Sequence, residues 1–155
     1  MSFEKAAAYV REKGFGDRIR EFETSSATVE LAALAVGTEP GRIAKSLTFM
    51  AGERPIMILC AGDRKVDNPK YKARFAAKAK MLTPQEVEHF TGHAVGGVCP
   101  FGVGEGIDIY LDESLRRYDV VYPACGSGNS AVELSIEELE EISGFQAWVD
   151  VCKEN

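Results

Sequence analysis

Apolar side chains recur at helical spacing in several stretches of the chain, and capping residues mark where those stretches begin and end. Val29, Ala32 and Val36 lie on one face of a predicted helix, and Gly37 follows as its end. Ser135 opens another helix with a capping-box pattern. The pattern predicts helices over residues 2–13, 28–36, 68–79, 84–91 and 135–142.

Two apolar, partly β-branched runs, 44–50 and 55–61, are joined by the four-residue turn Ala51–Arg54. They predict an antiparallel hairpin. Further strands are predicted at 18–22, 107–111, 119–122, 130–134 and 146–151. Because strands and helices mix without strict alternation, we expect an α+β fold. The expected architecture is a mixed, partly barrel-like β-sheet covered by helices, in a single domain over residues 1–155.

Composition agrees with a folded domain of this kind. The chain has 155 residues, of which 45% are hydrophobic and 27% charged, so disordered and fibrous classes are excluded. No apolar run approaches the ~18 residues of a membrane span, and the N-terminus lacks a signal-peptide core. We therefore expect a soluble, cytoplasmic protein without membrane contact. Its four cysteines stand singly and are expected as reduced thiols.

Charge is distributed unevenly along the chain. The net charge is −6, yet the segment from Arg64 to Lys80 holds seven basic residues and only one acidic residue, Asp67. Such a segment is either a solvated helix face or a patch that meets the phosphates of a nucleic acid. Composition alone leaves both interpretations open.

A metal site is one candidate for the chemistry of this chain. His89 and His93 are four residues apart, which suits two ligands on one helix face, and Cys99 follows six residues later. The segment lacks the glutamate of a zinc-protease helix, and a histidine pair near a helix end explains it as well. A metal hydrolase using these three residues stays an alternative, but we expect no metal and no cofactor.

Other segments carry more specific signals. Lys45 interrupts the strand 44–50, where it meets an anion or else faces outward on the polar side. The loop Gly96–Gly102 combines glycines, which let main-chain amides approach a ligand, with a proline, and can act as an oxyanion hole. Gly62–Asp67 places polar and basic groups at a strand end. Gly126–Asn129 is a further glycine-rich turn.

Taken in this order, these motifs resemble the YbaK-type aminoacyl-tRNA deacylases, relatives of the editing domain inserted in bacterial prolyl-tRNA synthetase. The resemblance extends from about Ser26 to Leu139. It implies hydrolysis of the ester that joins a small, wrong amino acid to the 3′ end of a tRNA. An aminoacyl ester is intrinsically labile, so such a site needs little beyond positioning and stabilisation of the oxyanion.

The resemblance also implies roles for individual residues. Lys45 would hold the terminal adenosine phosphate or orient the substrate, and a ribose hydroxyl would help to activate water. The loop amides that polarise the ester carbonyl would come from Gly96, Gly97, Val98, Cys99 and Pro100. Substrate-binding residues would be Ser26, Leu47, Asp63, Lys65, Phe101, Gly126, Ser127, Gly128 and Asn129. Lys70, Lys72 and Arg74 would bind tRNA.

The resemblance does not extend to every position and does not fix the amino acid removed. Some family members carry an acidic residue near position 131, where this chain has Ala131; Asn129 and Ser130 can supply polar contacts instead. The amino acid removed is not determined, because editing sites select by pocket size. Candidate walls are Ser26, Leu31, Leu47, Val98 and Phe101. The partners implied are the acceptor end of mischarged tRNA and, beyond it, a synthetase or an elongation factor. A binding module of the same fold without catalysis is the main alternative.

Overall fold

A long antiparallel hairpin forms the centre of the sheet, as the sequence predicts. The computed structural model describes residues 2–155, and in it Ile43–Ala51 pairs with Arg54–Ala61 along the whole length of both strands. The strands are β1 Ile19–Glu21, β2 Ile43–Ala51, β3 Arg54–Ala61, β4 Arg64–Val66, β5 Asp108–Asp112, β6 Val120–Pro123, β7 Ser130–Val132, β8 Leu134–Ser135, β9 Ala147–Val149 and β10 Cys152–Glu154.

Six of these strands form one curled, mixed sheet in the order β8-β6-β2-β3-β5-β9. β2 with β3 and β6 with β8 are antiparallel, whereas β2 with β6, β3 with β5 and β5 with β9 are parallel. The sheet closes half a barrel, which confirms the expected α+β class. Two short antiparallel pairs, β1 with β7 and β4 with β10, stand beside it.

The sheet is buried on both faces, and the alternation of β3 shows this most clearly. Met57 and Leu59 point into the larger core, which the first and last helices of the chain cover with residues such as Val10 and Leu139. Ile58 points to the opposite face, into a smaller core. Because both faces are covered, β3 is apolar and buried at every position after the exposed Arg54. The helices are α1 Ser2–Glu12, α2 Val29–Val36, α3 Asn68–Phe75, α4 Pro84–Thr91 and α5 Ile136–Ser143, with short 3-10 turns at 16–18, 40–42 and 113–117.

Capping residues set most helix ends as predicted. Thr83 and Ser135 each form a complete capping box, and Gly37 and Gly92 end α2 and α4 in the left-handed conformation. The third helix is shorter than expected. Ala76 takes the left-handed conformation at φ 59°, so α3 stops at Phe75. In the described part of the chain, no helix is long and apolar enough to cross a membrane.

Candidate functional site

A pocket of about 300 Å³ lies beside β2, at the point where its pairing with β6 ends. It is bounded by β2, α2, the start of α4, the loop that follows α4 and the segment before and within β7. Its walls are mainly apolar, and the residues that line it include Ser26, Val29, Ala32, Lys45, Ser46, Leu47, Thr48, Met81, Leu82, Val95, Gly96, Val98, Tyr122, Ser130 and Ala131. Lys45 is the only charged residue among the described residues of its walls.

The edge of β2 that faces away from β3 is partly unpaired at the pocket. β6 pairs with β2 only at Ile43 and Ala44. Further along the same edge, the carbonyl of Thr48 accepts from the Leu82 N–H at 3.2 Å. Ser46 lies between these two contacts and has the same parity as Ala44 and Thr48, so its N–H and C=O also point away from β3. Among residues 2–155 these two groups have no partner, so Ser46 presents a free main-chain donor and acceptor at the pocket wall.

Lys45 lies at the pocket wall, and it is half-buried rather than solvated. Its Nζ donates a hydrogen bond to the main-chain carbonyl of Arg64 in β4. An ammonium group carries three donors, so one contact to a neutral carbonyl leaves it able to bind an anion. Lys45 is thus a positioned cation at the edge of an apolar pocket.

The loop predicted as an oxyanion hole contributes two of its residues to the pocket. Gly96, at φ 101°, and Val98 line the wall. In the part of the chain that the structure describes, their N–H groups have no acceptor. The N–H of Gly97 is different, because it donates to the carbonyl of Ala94 at 3.0 Å. Gly96 and Val98 therefore keep unpaired amides at the pocket wall, whereas the amide of Gly97 is hydrogen-bonded within the loop.

Gly97 has a packing role instead. A Cβ on Gly97 would lie 2.5 Å from the main-chain nitrogen of Ser127 and 2.6 Å from the carbonyl carbon of Gly126. The absence of a side chain at Gly97 therefore lets the loop pack directly against the main chain of the neighbouring turn.

Three other residues of this loop also point away from the pocket. Cys99 and Phe101 are fully buried in the larger core, where Phe101 stacks on Tyr9 at 6.2 Å between ring centroids. Pro100 borders a second cavity on another side of the molecule. Phe101 is therefore not a pocket wall, and Leu31 lies outside the pocket as well, exposed on α2.

The turn Gly126–Asn129 stands behind the pocket, and none of its four residues lines it. It contributes through its neighbour Ser130, whose hydroxyl lies 2.6 Å from that of Ser127. The carbonyl of Gly128 accepts from the main-chain N–H of Ser26 at 2.7 Å. The turn thus supports two residues of the pocket wall without touching the space inside it.

Two serine hydroxyls beside the pocket are unsatisfied. The Oγ atoms of Ser26 and Ser46 are buried and have no hydrogen-bond partner within residues 2–155. A buried hydroxyl without a partner costs on the order of 1–3 kcal/mol, so such atoms are informative where they border a cavity. They fit a pocket whose polar groups are completed by a ligand.

The turn Gly62–Asp67 lies outside the pocket. Asp63 is bound by Arg117 at 2.6 Å and by Arg64 at 3.2 Å, and the Arg117 guanidinium holds the pKa of this carboxyl below its usual range. Lys65 is exposed on β4, opposite Lys153. Neither side chain is brought to the pocket. The contribution of this segment is the Arg64 carbonyl that holds Lys45.

The basic residues of α3 differ from one another. Lys70 pairs with Asp150 at 3.1 Å and also donates to the Cys152 carbonyl at 3.0 Å. Arg74 stacks on the rings of Phe75 and Tyr110. Lys72 is exposed, and none of the described residues forms an ion pair with it. α3 follows β4 directly, so this patch begins close in sequence to the carbonyl that holds Lys45.

The three proposed metal ligands are not brought together. His89 is exposed on α4, whereas His93 is fully buried beyond the helix end, with Nε2 at 2.8 Å from the Phe101 carbonyl and 3.5 Å from Cys99 Sγ. No group of three potential metal-binding side chains occurs among the described residues. Burial lowers the pKa of His93 and raises that of Cys99, which fits two neutral core groups.

Several pocket residues were not singled out from the sequence. Ser46 and Thr48 follow the lysine on the same strand, and Met81 and Val95 come from segments without regular structure. Only the unpaired edge of β2 identifies Ser46, and that edge depends on where β6 ends. Met81 and Val95 are 63% and 67% exposed, which marks them as an apolar rim at the pocket mouth.

Comparison with known proteins gives this fold and pocket a family. The sequence profile of the aminoacyl-tRNA editing domain matches residues 23–142 of the chain. The protein therefore belongs to the aminoacyl-tRNA editing domain family.

Individual relatives agree with that assignment. The chain is 49% identical to the uncharacterized protein YwhH of Bacillus subtilis (strain 168) over 155 residues, which is 99% of each sequence. It is 30% identical over 101 residues to the proline–tRNA ligase of Geobacillus sp. (strain WCH70), a match that covers 64% of this chain and 18% of the ligase. A crystal structure of a proposed trans-editing enzyme for prolyl-tRNA synthetase superposes with a TM-score of 0.88 at 32% identity, covering 98% of this chain and 97% of the other.

Proposed function

We propose that the protein hydrolyses the ester of tRNA mischarged with a small amino acid, acting in trans. The observation that carries the proposal is the open edge of β2, where Lys45 and Ser46 line the same apolar pocket as Gly96 and Val98, whose amides have no acceptor among residues 2–155. The volume of about 300 Å³ is at the lower end for ligand sites, which suits a small acyl group.

The chemistry requires no protein nucleophile. In the proposed reaction, water adds to the ester carbonyl, the free N–H groups at the pocket stabilise the oxyanion, and the C–O bond to the ribose breaks. The products are the free amino acid and a tRNA with its terminal hydroxyl restored. A vicinal ribose hydroxyl helps to activate the water, and Lys45 holds the terminal phosphate. Burial raises the pKa of Cys99 and that of Cys125, to about 12 for Cys125, so neither thiol is a competing nucleophile.

A deacylation screen across mischarged tRNAs tests this proposal, with wild type and Lys45→Ala compared on each substrate. We expect wild type to release a small amino acid. Lys45→Ala should lower kcat/KM about 30- to 1000-fold, which corresponds to roughly 2 to 4 kcal/mol of transition-state stabilisation. Thermal unfolding of the variant should match wild type, because a single carbonyl contact holds this side chain. Full activity in Lys45→Ala would overturn its role; binding of mischarged tRNA without release by wild type would favour a non-catalytic module.

We further propose that α3 contacts the tRNA backbone, and the ion pairs divide its basic residues into two groups. Lys72 and Arg74 are free to meet phosphates, whereas Lys70 is held by Asp150. The double variant Lys72→Ala with Arg74→Ala should bind mischarged tRNA more weakly, and its salt dependence should be flatter by about two log units per log unit of salt.

Lys70→Ala is the matched control for this experiment and should change the salt slope less. Hydrolysis of an aminoacyl-adenosine, which lacks the neighbouring phosphates, should be unaffected in both variants. An unchanged affinity and slope in the double variant would make the patch a solvated helix face.

A further inference from the structure

A hydrogen-bonded series of three side chains leads from the pocket wall into the turn behind it. The Ser130 and Ser127 hydroxyls are 2.6 Å apart, and the Ser127 hydroxyl lies 2.9 Å from Asn129 Oδ1. Asn129 Nδ2 in turn donates to the Phe22 carbonyl at 3.1 Å, and the Phe22 N–H donates to the Asn129 carbonyl at 2.8 Å. The far end of this series is thus fixed to the main chain by two hydrogen bonds.

The number of protons available in this hydrogen-bonded series determines which group donates and which accepts in each bond. The Asn129 amide must direct Nδ2 at the Phe22 carbonyl, so its oxygen faces Ser127 and can only accept. Ser127 has one hydroxyl proton and gives it to Asn129. The bond between the two serines therefore takes its proton from Ser130.

Ser130 is left as an acceptor without a proton to offer. It is 2% exposed and lines the pocket. No donor among residues 2–155 reaches its hydroxyl oxygen apart from the Ser127 contact already assigned. Along the described walls of this pocket there is also no carboxylate. The hydroxyls of Ser26 and Ser46 line it too, but they keep a proton to donate, whereas the direction of the Ser130 hydroxyl is fixed by Ser127.

An aminoacyl ester offers this acceptor few matching groups. The ester carbonyl and ester oxygen can only accept, which leaves the α-ammonium and the ribose hydroxyl as donors. The ammonium carries a charge and three protons, and a charge-assisted hydrogen bond is about twice as strong as a neutral one. We propose that Ser130 Oγ accepts a hydrogen bond from the α-ammonium of the bound aminoacyl group, with Ser127 and Asn129 fixing its direction. This inference rests on the proposed function of the pocket.

The test uses binding, so that it does not depend on catalysis. The probes are 3′-alanylamido-3′-deoxyadenosine and its propionyl counterpart, which lacks only the amino group. Both are amides, so neither can be hydrolysed as an ester. Calorimetry should show that wild type binds the alanyl compound at least tenfold more tightly at pH 6.5, where its amine is protonated. Ser130→Ala should remove that preference and leave the affinity for the propionyl compound unchanged.

Two further measurements separate positioning from a structural role. The preference for the alanyl compound should decline in wild type as pH rises through the pKa of an α-amino group, about 7.7 to 8.0, and Ser130→Ala should show no such decline. Ser127→Ala should lose part of the preference, because Ser130 is then free to turn its proton toward the pocket. Ser25→Ala is the matched control: Ser25 is exposed and donates to the Gly128 carbonyl from outside the pocket.

The outcomes are distinct from those of the deacylation screen. Equal losses for both probes in Ser130→Ala would place its oxygen against the ribose hydroxyl and overturn the inference. No preference in wild type, or no binding of either probe, would overturn it as well. A wild type that prefers the alanyl compound but hydrolyses no mischarged tRNA would uphold the ammonium site and refute the deacylase.

Discussion

Alternate residues of the loop after α4 face two different environments. Gly96 and Val98 face the pocket, where their amides are free, whereas Gly97, Cys99 and Phe101 are packed into the interior. One side of this loop therefore lines the pocket and the other side packs into the core. The two glycines of this motif therefore have separate physical roles. Gly96 presents an amide at the pocket, and Gly97 allows two segments of the main chain to pack closely.

The largest effect that can test this comparison is on Gly97. Gly97→Ala forces a Cβ against the main chain at Ser127, and neither segment has a flexible side chain that can move aside. We expect a loss of about 3 kcal/mol in the free energy of unfolding, as for other overpacked sites. Urea denaturation with an unchanged m-value measures this loss.

Gly106→Ala is the matched control for Gly97→Ala. A Cβ at Gly106 meets nothing within 4 Å, so its stability should stay within about 0.5 kcal/mol of wild type. If Gly97→Ala kept full stability and lost only activity, Gly97 would belong to the pocket side of the loop after all.

Local signals made much of the fold predictable. The capping boxes at Thr83 and Ser135 and the apolar hairpin were read correctly because each depends on neighbouring residues. β4 and β10 were missed, since both are charged three-residue strands that exist only because distant parts of the chain pair. The end of α3 was missed because nothing local marks Ala76 as left-handed.

The site was less predictable than the fold for the same reason. Lys45 and Gly96 carry visible signals, namely a charge within an apolar strand and a glycine-rich loop. Which face of the loop meets the pocket, and where β2 lacks a neighbour, depend on tertiary packing. Sequence patterns alone therefore do not show that Phe101 packs in the core or that Ser46 lines the pocket.

A smaller effect should separate the pocket rim from an ordinary apolar surface. Met81 and Val95 are exposed and line the pocket. If the proposed substrate binds there, we expect this apolar rim to contact its terminal adenine. The double variant Met81→Ser with Val95→Ser should raise KM for an aminoacyl-adenosine roughly fivefold without changing kcat, as expected when about 40 Å² of apolar surface is no longer buried.

Leu34→Ser controls for the loss of exposed apolar surface, because Leu34 is 79% exposed on α2 and does not line the pocket. It should leave KM unchanged. An amino acid methyl ester, which has no base, should not distinguish the rim variant from wild type. Equal effects of the rim variant on both esters would show that the rim shapes the acyl pocket rather than holding the base.

The smallest expected effect comes from His93, on the buried side of the same loop. Burial lowers the pKa of this imidazole in the folded protein, whereas the unfolded chain binds a proton near pH 6.5. Stability is therefore lost as pH falls below about 6.5, with a slope of at most about 1.4 kcal/mol per pH unit.

His93→Gln keeps a donor for the Phe101 carbonyl and cannot titrate. Between pH 7 and 5.5, wild type should lose more unfolding free energy than His93→Gln. The exposed His89 provides the control, since His89→Gln should lose stability as wild type does. Equal losses in all three proteins would mean that His93 is protonated in the folded state and that this side of the loop is open to water.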